Sequence, residues 1–88
     1  MPGLEIHVVD METEMQLFAK NKITEAFDTL SKEAKIADFL TSAFFRQYPG
    51  SWNCIVGKNF GSHVVQMTQS YLFCTYNNEI SILLWKSG

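Results

Sequence analysis

The first hydrophobic pattern in the chain is LEIHVV, where Leu4, Ile6 and Val8 alternate with Glu5, His7 and Val9. A period of two predicts a short, half-buried strand. The period then lengthens. From Met15 the apolar positions fall at Ala19, Ile23, Ala26, Phe27 and Leu30, which gathers them on one helical face. Asp10 and Thr13 offer N-caps for this helix, and Thr13 with Gln16 has the capping-box spacing. Ile36, Phe39, Leu40, Ala43 and Phe44 repeat the helical spacing. Ser31 is placed to cap that second helix, and Glu33 falls in its first turn, where a negative charge suits the helix dipole. Pro49-Gly50 ends it, because proline disfavours a helical Tyr48 and removes a donor. The helices join near residues 30–32.

Beyond Pro49 the chain becomes extended. Trp52, Cys54 and Val56 alternate with Asn53, Ile55 and Gly57, and both sets are largely apolar. Further extended runs are predicted at Phe60 to Met67, Tyr71 to Tyr76 and Ile80 to Trp85, ahead of a polar KSG tail. Asn77-Asn78 predicts a tight turn, since asparagine tolerates positive φ. Gly57-Lys58-Asn59 reads as a turn joining the first two runs. The order is therefore strand, two helices, then four strands. That order predicts an α+β fold with an antiparallel sheet, in a single domain spanning 1–88.

Composition narrows the functions open to such a chain. Its 88 residues leave no room for two independent cores, and 47% hydrophobic content marks a globular sequence. So small a domain leaves much surface uncovered, and self-association is one way to bury it. Nine acidic and seven basic residues are well mixed, with a net charge of −2. A nucleic-acid binder carries a basic stripe, which is missing here. No apolar run reaches about 18 residues, and MPGLEIHVVD lacks the layout of a signal peptide. A soluble, intracellular protein is expected. Cys54 and Cys74 pair if the compartment is oxidising and remain buried thiols if it is reducing.

GKNFGS, residues 57–62, superficially suggests a phosphate loop. A Walker loop needs four residues between its glycines, then Gly-Lys-Ser/Thr opening a helix. Asn59 stands where the hydroxyl belongs, and an extended run follows. Gly61 inside that run marks either a bulge or the close approach of another backbone. His7 and His63 stand in no pattern with a carboxylate or thiol, and HExxH, CxxC and GxSxG are all missing. No catalytic residue, metal ligand or cofactor is assigned.

The block WNCIVGKNFGS and the tail ILLWKSG together resemble the small, homodimeric light chain family of cytoplasmic dynein. The usual patterns there are close to W-H-C-I-V-G-[RK]-N-F-G-S and L-L-F-K-S-G, and the likeness runs the length of the chain. It implies a non-catalytic dimeric hub with one strand exchanged between subunits. Each of two grooves at the dimer interface would take a disordered partner segment as an added antiparallel strand, usually one with a Thr-Gln core. Such a hub acts as an accessory subunit of a dynein motor on microtubules, in the cytoplasm and cytoskeleton. It binds the intermediate chain of dynein and other disordered segments, with no nucleic acid and no membrane insertion.

The same resemblance assigns residues. Lys58, Asn59, Phe60, Gly61, Ser62, His63, Val64, Val65 and Gln66 align with the strand that receives the peptide. Glu33 aligns with an acidic residue at the start of the second helix, whose exposed amides the peptide's glutamine caps. Asp10 aligns with a groove-side aspartate. Asn53, Phe60, Ser62, His63 and Val64 align with the dimer interface. In the 71–76 run one extra residue before Ile80 leaves two registers: Phe73 and Thr75 face the groove in one, Cys74 and Tyr76 in the other. His63, Ala34, Val65, Gln66 and His7 replace the family's usual residues. A divergent structural subunit with an altered groove, serving one dedicated complex, is the alternative these substitutions raise. Asn53 stands where many members carry a histidine, so the dimer is expected to resist mild acid.

Overall fold

The computed structural model describes residues 3–58 and 70–87. Strand β1 (Leu4–Asp10) leads into helices α1 (Thr13–Thr29) and α2 (Glu33–Gln47). Strands β2 (Ser51–Lys58), β3 (Tyr71–Tyr76) and β4 (Ile80–Ser87) follow. The four strands form one antiparallel sheet in the order β1-β3-β4-β2, so the first strand joins the three that follow the helices. The extended run predicted at Phe60 to Met67 lies outside the described residues.

Both helices pack on one face of this sheet. Ala19, Ile23 and Ala26 of α1 and Ile36, Leu40 and Phe44 of α2 are fully or almost fully buried, as the three- and four-residue spacing requires. They meet Trp52, Leu72, Cys74, Ile82 and Leu84, the even-numbered positions of the strands. Each buried Ile, Leu or Phe there stabilises the fold by roughly 1.5–3 kcal/mol. An aromatic cluster fastens α2 to β2: the Phe44 ring lies 4.8 Å from Trp52 and 5.0 Å from Phe18, the latter edge-on. Phe18, which helical spacing leaves off the core stripe, is thereby drawn into it.

Local chemistry departs from the sequence reading at several points. Neither helix has a side-chain N-cap: Glu12 and Lys32 occupy the cap positions, and Thr13 and Ser31 do not cap. Gln16 instead donates from Nε2 to the Met11 carbonyl at 2.8 Å. Gly57 and Lys58 are ladder residues, paired with Ser81 and Ile80, so β2 takes in the first two residues of the expected turn, while Asn59 lies outside the described residues. The Asn77-Asn78 turn forms as expected, with φ of 57° and 58° and a bond from Glu79 N to the Tyr76 carbonyl. Tyr48 is extended at φ −129°, as a residue before proline must be, and Gly50 takes φ +121°.

The largest departure is in β1. Its pairing with β3 slips between Ile6 and Val8, leaving His7 as a bulged residue. The slip shifts the side-chain phase. Leu4 and Ile6 reach the helix-side core, but beyond the bulge Val9 and Met11 do so, while Val8 is 38% exposed. The alternation expected of Val8 and Val9 is therefore reversed.

Sheet order also settles the cysteines. Both are free thiols on the helix side, Cys54 on β2 and Cys74 on β3 with β4 between them. Two strand spacings put them roughly 9–10 Å apart laterally. A disulfide needs Cα atoms within about 7 Å, so the pairing reading is excluded. Burial pushes both thiols up to about 12, and the neighbouring Cys74 adds to the effect at Cys54.

Candidate functional site

The sheet has two distinct ends and two distinct faces, which divide the candidate residues among them. At the end formed by the β3–β4 turn, a cavity of about 410 Å³ opens where α1 finishes and α2 begins. Its floor is apolar: Phe27 stacks on Tyr76 at 4.1 Å with the rings 8° from parallel, beside Ile36 and Ile80. Its rim is polar and carries Glu33, Lys58 and Glu79. Glu33 is the first residue of α2, and no side chain caps the helix there. The amides of that first turn have no intrahelical acceptors and point out of the helix end. An apolar floor beside unpaired donors suits an extended segment with one polar, hydrogen-bonding side chain.

The opposite face of the sheet carries the odd-numbered positions. Its middle row reads Val8, Phe73, Leu83 and Ile55 across the four strands. Val8 and Ile55 are substantially exposed, at 38% and 47%, whereas Phe73 and Leu83 are buried. A flanking row reads Glu5, Thr75, Ser81 and Gly57. The bulge turns His7 onto this row: Nε2 is hydrogen-bonded to Thr75 Oγ1 at 3.0 Å, and the ring lies 5.6 Å from Phe73. Ser81 Oγ is buried and lacks a hydrogen-bond partner among the described residues. Neither α1 nor α2 covers this face.

The structure brings Glu33 and Lys58 together on the cavity rim. Phe73 and Thr75 share the sheet face away from the helices, while Cys74 is core and Tyr76 lines the cavity. Asn53 lies in β2 opposite Trp85, on the same face. Asp10 stands apart. It pairs with Tyr71 at the far end of β3, roughly 17 Å along the strand from Tyr76. Asn59, Phe60, Gly61, Ser62, His63, Val64, Val65 and Gln66 lie outside the described residues. Sequence reasoning overlooked the Phe27–Tyr76 stack and the turn of His7 onto Thr75. The first had a signal in the helical phase of Phe27; a one-residue bulge has none.

Among the described residues, no three His, Cys, Asp or Glu side chains are grouped to hold a metal, and no helix is long and apolar enough to cross a membrane. A strand and two helices packed on one face of an antiparallel sheet make a small adaptor-type fold. Residues 4–87 match the family described as dynein light chain type 1, and the chain belongs to that family. Solved structures agree on the fold. The dynein light chain-like domain of the Fasciola hepatica calcium binding protein FhCaBP2 is similar at TM-score 0.77 and 18% identity, over 99% of this chain and 93% of that one. A mercury derivative of the same domain gives 0.76 at 18%, over 97% and 92%. The dynein light chain-like domain of CsTAL3 gives 0.73 at 19%, over 96% of this chain and 92% of that one.

Proposed function

We propose that this protein is a non-catalytic homodimeric hub that clamps short disordered partner segments by strand addition, as an accessory subunit of a dynein motor in the cytoplasm. The carrying observation is the uncapped start of α2 opening into an apolar cavity rimmed by Glu33 and Lys58. A bound segment satisfies backbone groups along a sheet edge and places one polar side chain at those helix amides. Residues 60–66 carry the receiving edge by resemblance alone. The sheet face away from the helices supports the dimer: Val8 and Ile55 leave apolar surface exposed there, and a two-fold axis pairs such a face with itself. Asn53 on that face does not titrate, so the dimer should persist between pH 7 and 5.5 in sedimentation. Two linked sites then raise the apparent affinity for paired partner chains.

Isothermal titration with a peptide carrying a Lys-x-Thr-Gln-Thr core tests the reading. Micromolar binding at one peptide per chain, lost on Gly61→Val and weakened on Lys58→Glu, supports it. No heat of binding from a folded dimer at several temperatures would sink it in favour of a subunit dedicated to one complex. The dynein intermediate chain is the first natural segment to titrate.

A further inference from the structure

A second depression, of about 310 Å³, is lined only by the two helices: Phe18 and Lys22 of α1 with Phe39, Ser42, Ala43, Arg46 and Gln47 of α2. It lies beside the buried stripe rather than on it. Phe39 and Arg46 are seven residues apart on α2, two turns along one face, and Ala43 lies between them. The Lys22 ammonium is held above both Phe18, at 5.7 Å from the ring centre, and Phe39, at 5.9 Å. Cation–π attraction thus fixes a positive charge over the floor of the cleft.

Lys22 and Arg46 are the charged residues of the lining; it holds no carboxylate. Glu25 reaches Lys22 from outside at 3.4 Å, in a partly exposed pair. Pairs of that kind contribute about 0–1 kcal/mol and yield readily to a competing anion. The result is a small cationic cleft on a chain whose net charge is −2. Two cations are too few for a nucleic-acid backbone or an anionic membrane, both of which need a dense basic patch. They match two carboxylates. Lys22 lies over Phe39, and Arg46 stands about 10 Å further along α2, so the two cations bracket roughly three residues of extended chain.

We propose that this cleft docks a short acidic segment of a partner protein in extended form, with carboxylates three residues apart and an apolar residue between them over Ala43 and Phe18. The site lies on the helices and is separate from the cavity at the start of α2, so one chain holds both segments at once.

Fluorescence anisotropy of the full chain with a labelled octapeptide centred on Glu-Leu-Ala-Glu tests this, beside the same peptide with both Glu replaced by Gln. The acidic peptide should bind and the Gln peptide should bind roughly tenfold more weakly, a difference that shrinks in high salt. Arg46→Glu and, separately, Lys22→Glu should each cut affinity by roughly tenfold while thermal melts show a folded protein. A Thr-Gln peptide should not compete. Equal binding of the two octapeptides, binding untouched by Arg46→Glu, competition by the Thr-Gln peptide, or no binding overturns the proposal. Tighter binding of phosphatidylserine vesicles or of a single-stranded oligonucleotide at these residues also overturns it. Failure here leaves the Thr-Gln titration as a separate result.

Discussion

Replacing Phe44 by alanine removes the ring that joins α2, α1 and β2. It is fully buried, with Phe18 at 5.0 Å, Trp52 at 4.8 Å and Tyr48 at 5.9 Å. Truncating a buried phenylalanine costs about 3–5 kcal/mol, of which each ring pair carries roughly 0.5–1.5. A chain of this length has a total stability of about 4–13 kcal/mol, so the variant stands close to unfolding. An unfolding entropy of about 2.1 cal/mol/K per residue converts a 4 kcal/mol loss into a Tm fall of roughly 20 °C. Phe44→Leu keeps most of the buried area and loses mainly the ring geometry, for about 1–2 kcal/mol. Urea and thermal unfolding by far-ultraviolet circular dichroism measure both, at matched protein concentration because a dimer's stability depends on it. A loss below about 1.5 kcal/mol for Phe44→Ala, or equal losses for the two variants, would refute the reasoning.

Three further perturbations follow from local features. The buried thiols have folded pKa values near 12 against an ordinary 9.0, so stability is fully present below pH 9 and falls as pH rises toward 12. Cys74→Val should flatten that fall in urea midpoints between pH 8 and 10.5, and an unchanged slope counts against it. Gly50→Ala forces a side chain onto φ +121° and should cost about 1–3 kcal/mol. Its added Cβ would lie 2.4 Å from Lys86 Cε, the movable end of a side chain, so Lys86→Ala should not rescue the loss in Tm. Ser81→Ala removes a buried hydroxyl without a partner among the described residues and should raise stability by about 1 kcal/mol. A clear loss would reveal a partner for that hydroxyl.

What could be read from the sequence was what local spacing controls. Ala19, Ile23 and Ala26, then Ile36, Leu40 and Phe44, announce their buried faces because a helix repeats within a few residues. The Asn77-Asn78 turn is equally local. Features set by distant pairing were hidden. Gly57-Lys58 looks like a turn until β4, more than twenty positions later, is seen to pair with it. The Thr13 and Ser31 caps failed because neighbouring residues took the cap positions, a competition that spacing alone does not resolve. For the site, Glu33 and Lys58 were assigned through resemblance; the cavity joining them depends on the Phe27–Tyr76 stack between α1 and β3. No pattern of residue types announced the depression between the helices.

The bulge at His7 gives β1 two reading frames. Residues before it and after it obey opposite parity rules, so a substitution tolerated at Ile6 says nothing about Val8 and something about Val9. A one-residue deletion at His7 would remove the bulge and restore strict alternation, with Leu4, Ile6 and Val9 still toward the helices and Val8 and Asp10 still away from them. The buried pattern therefore survives loss of that one letter, and what goes with it is the imidazole set against Thr75 and Phe73.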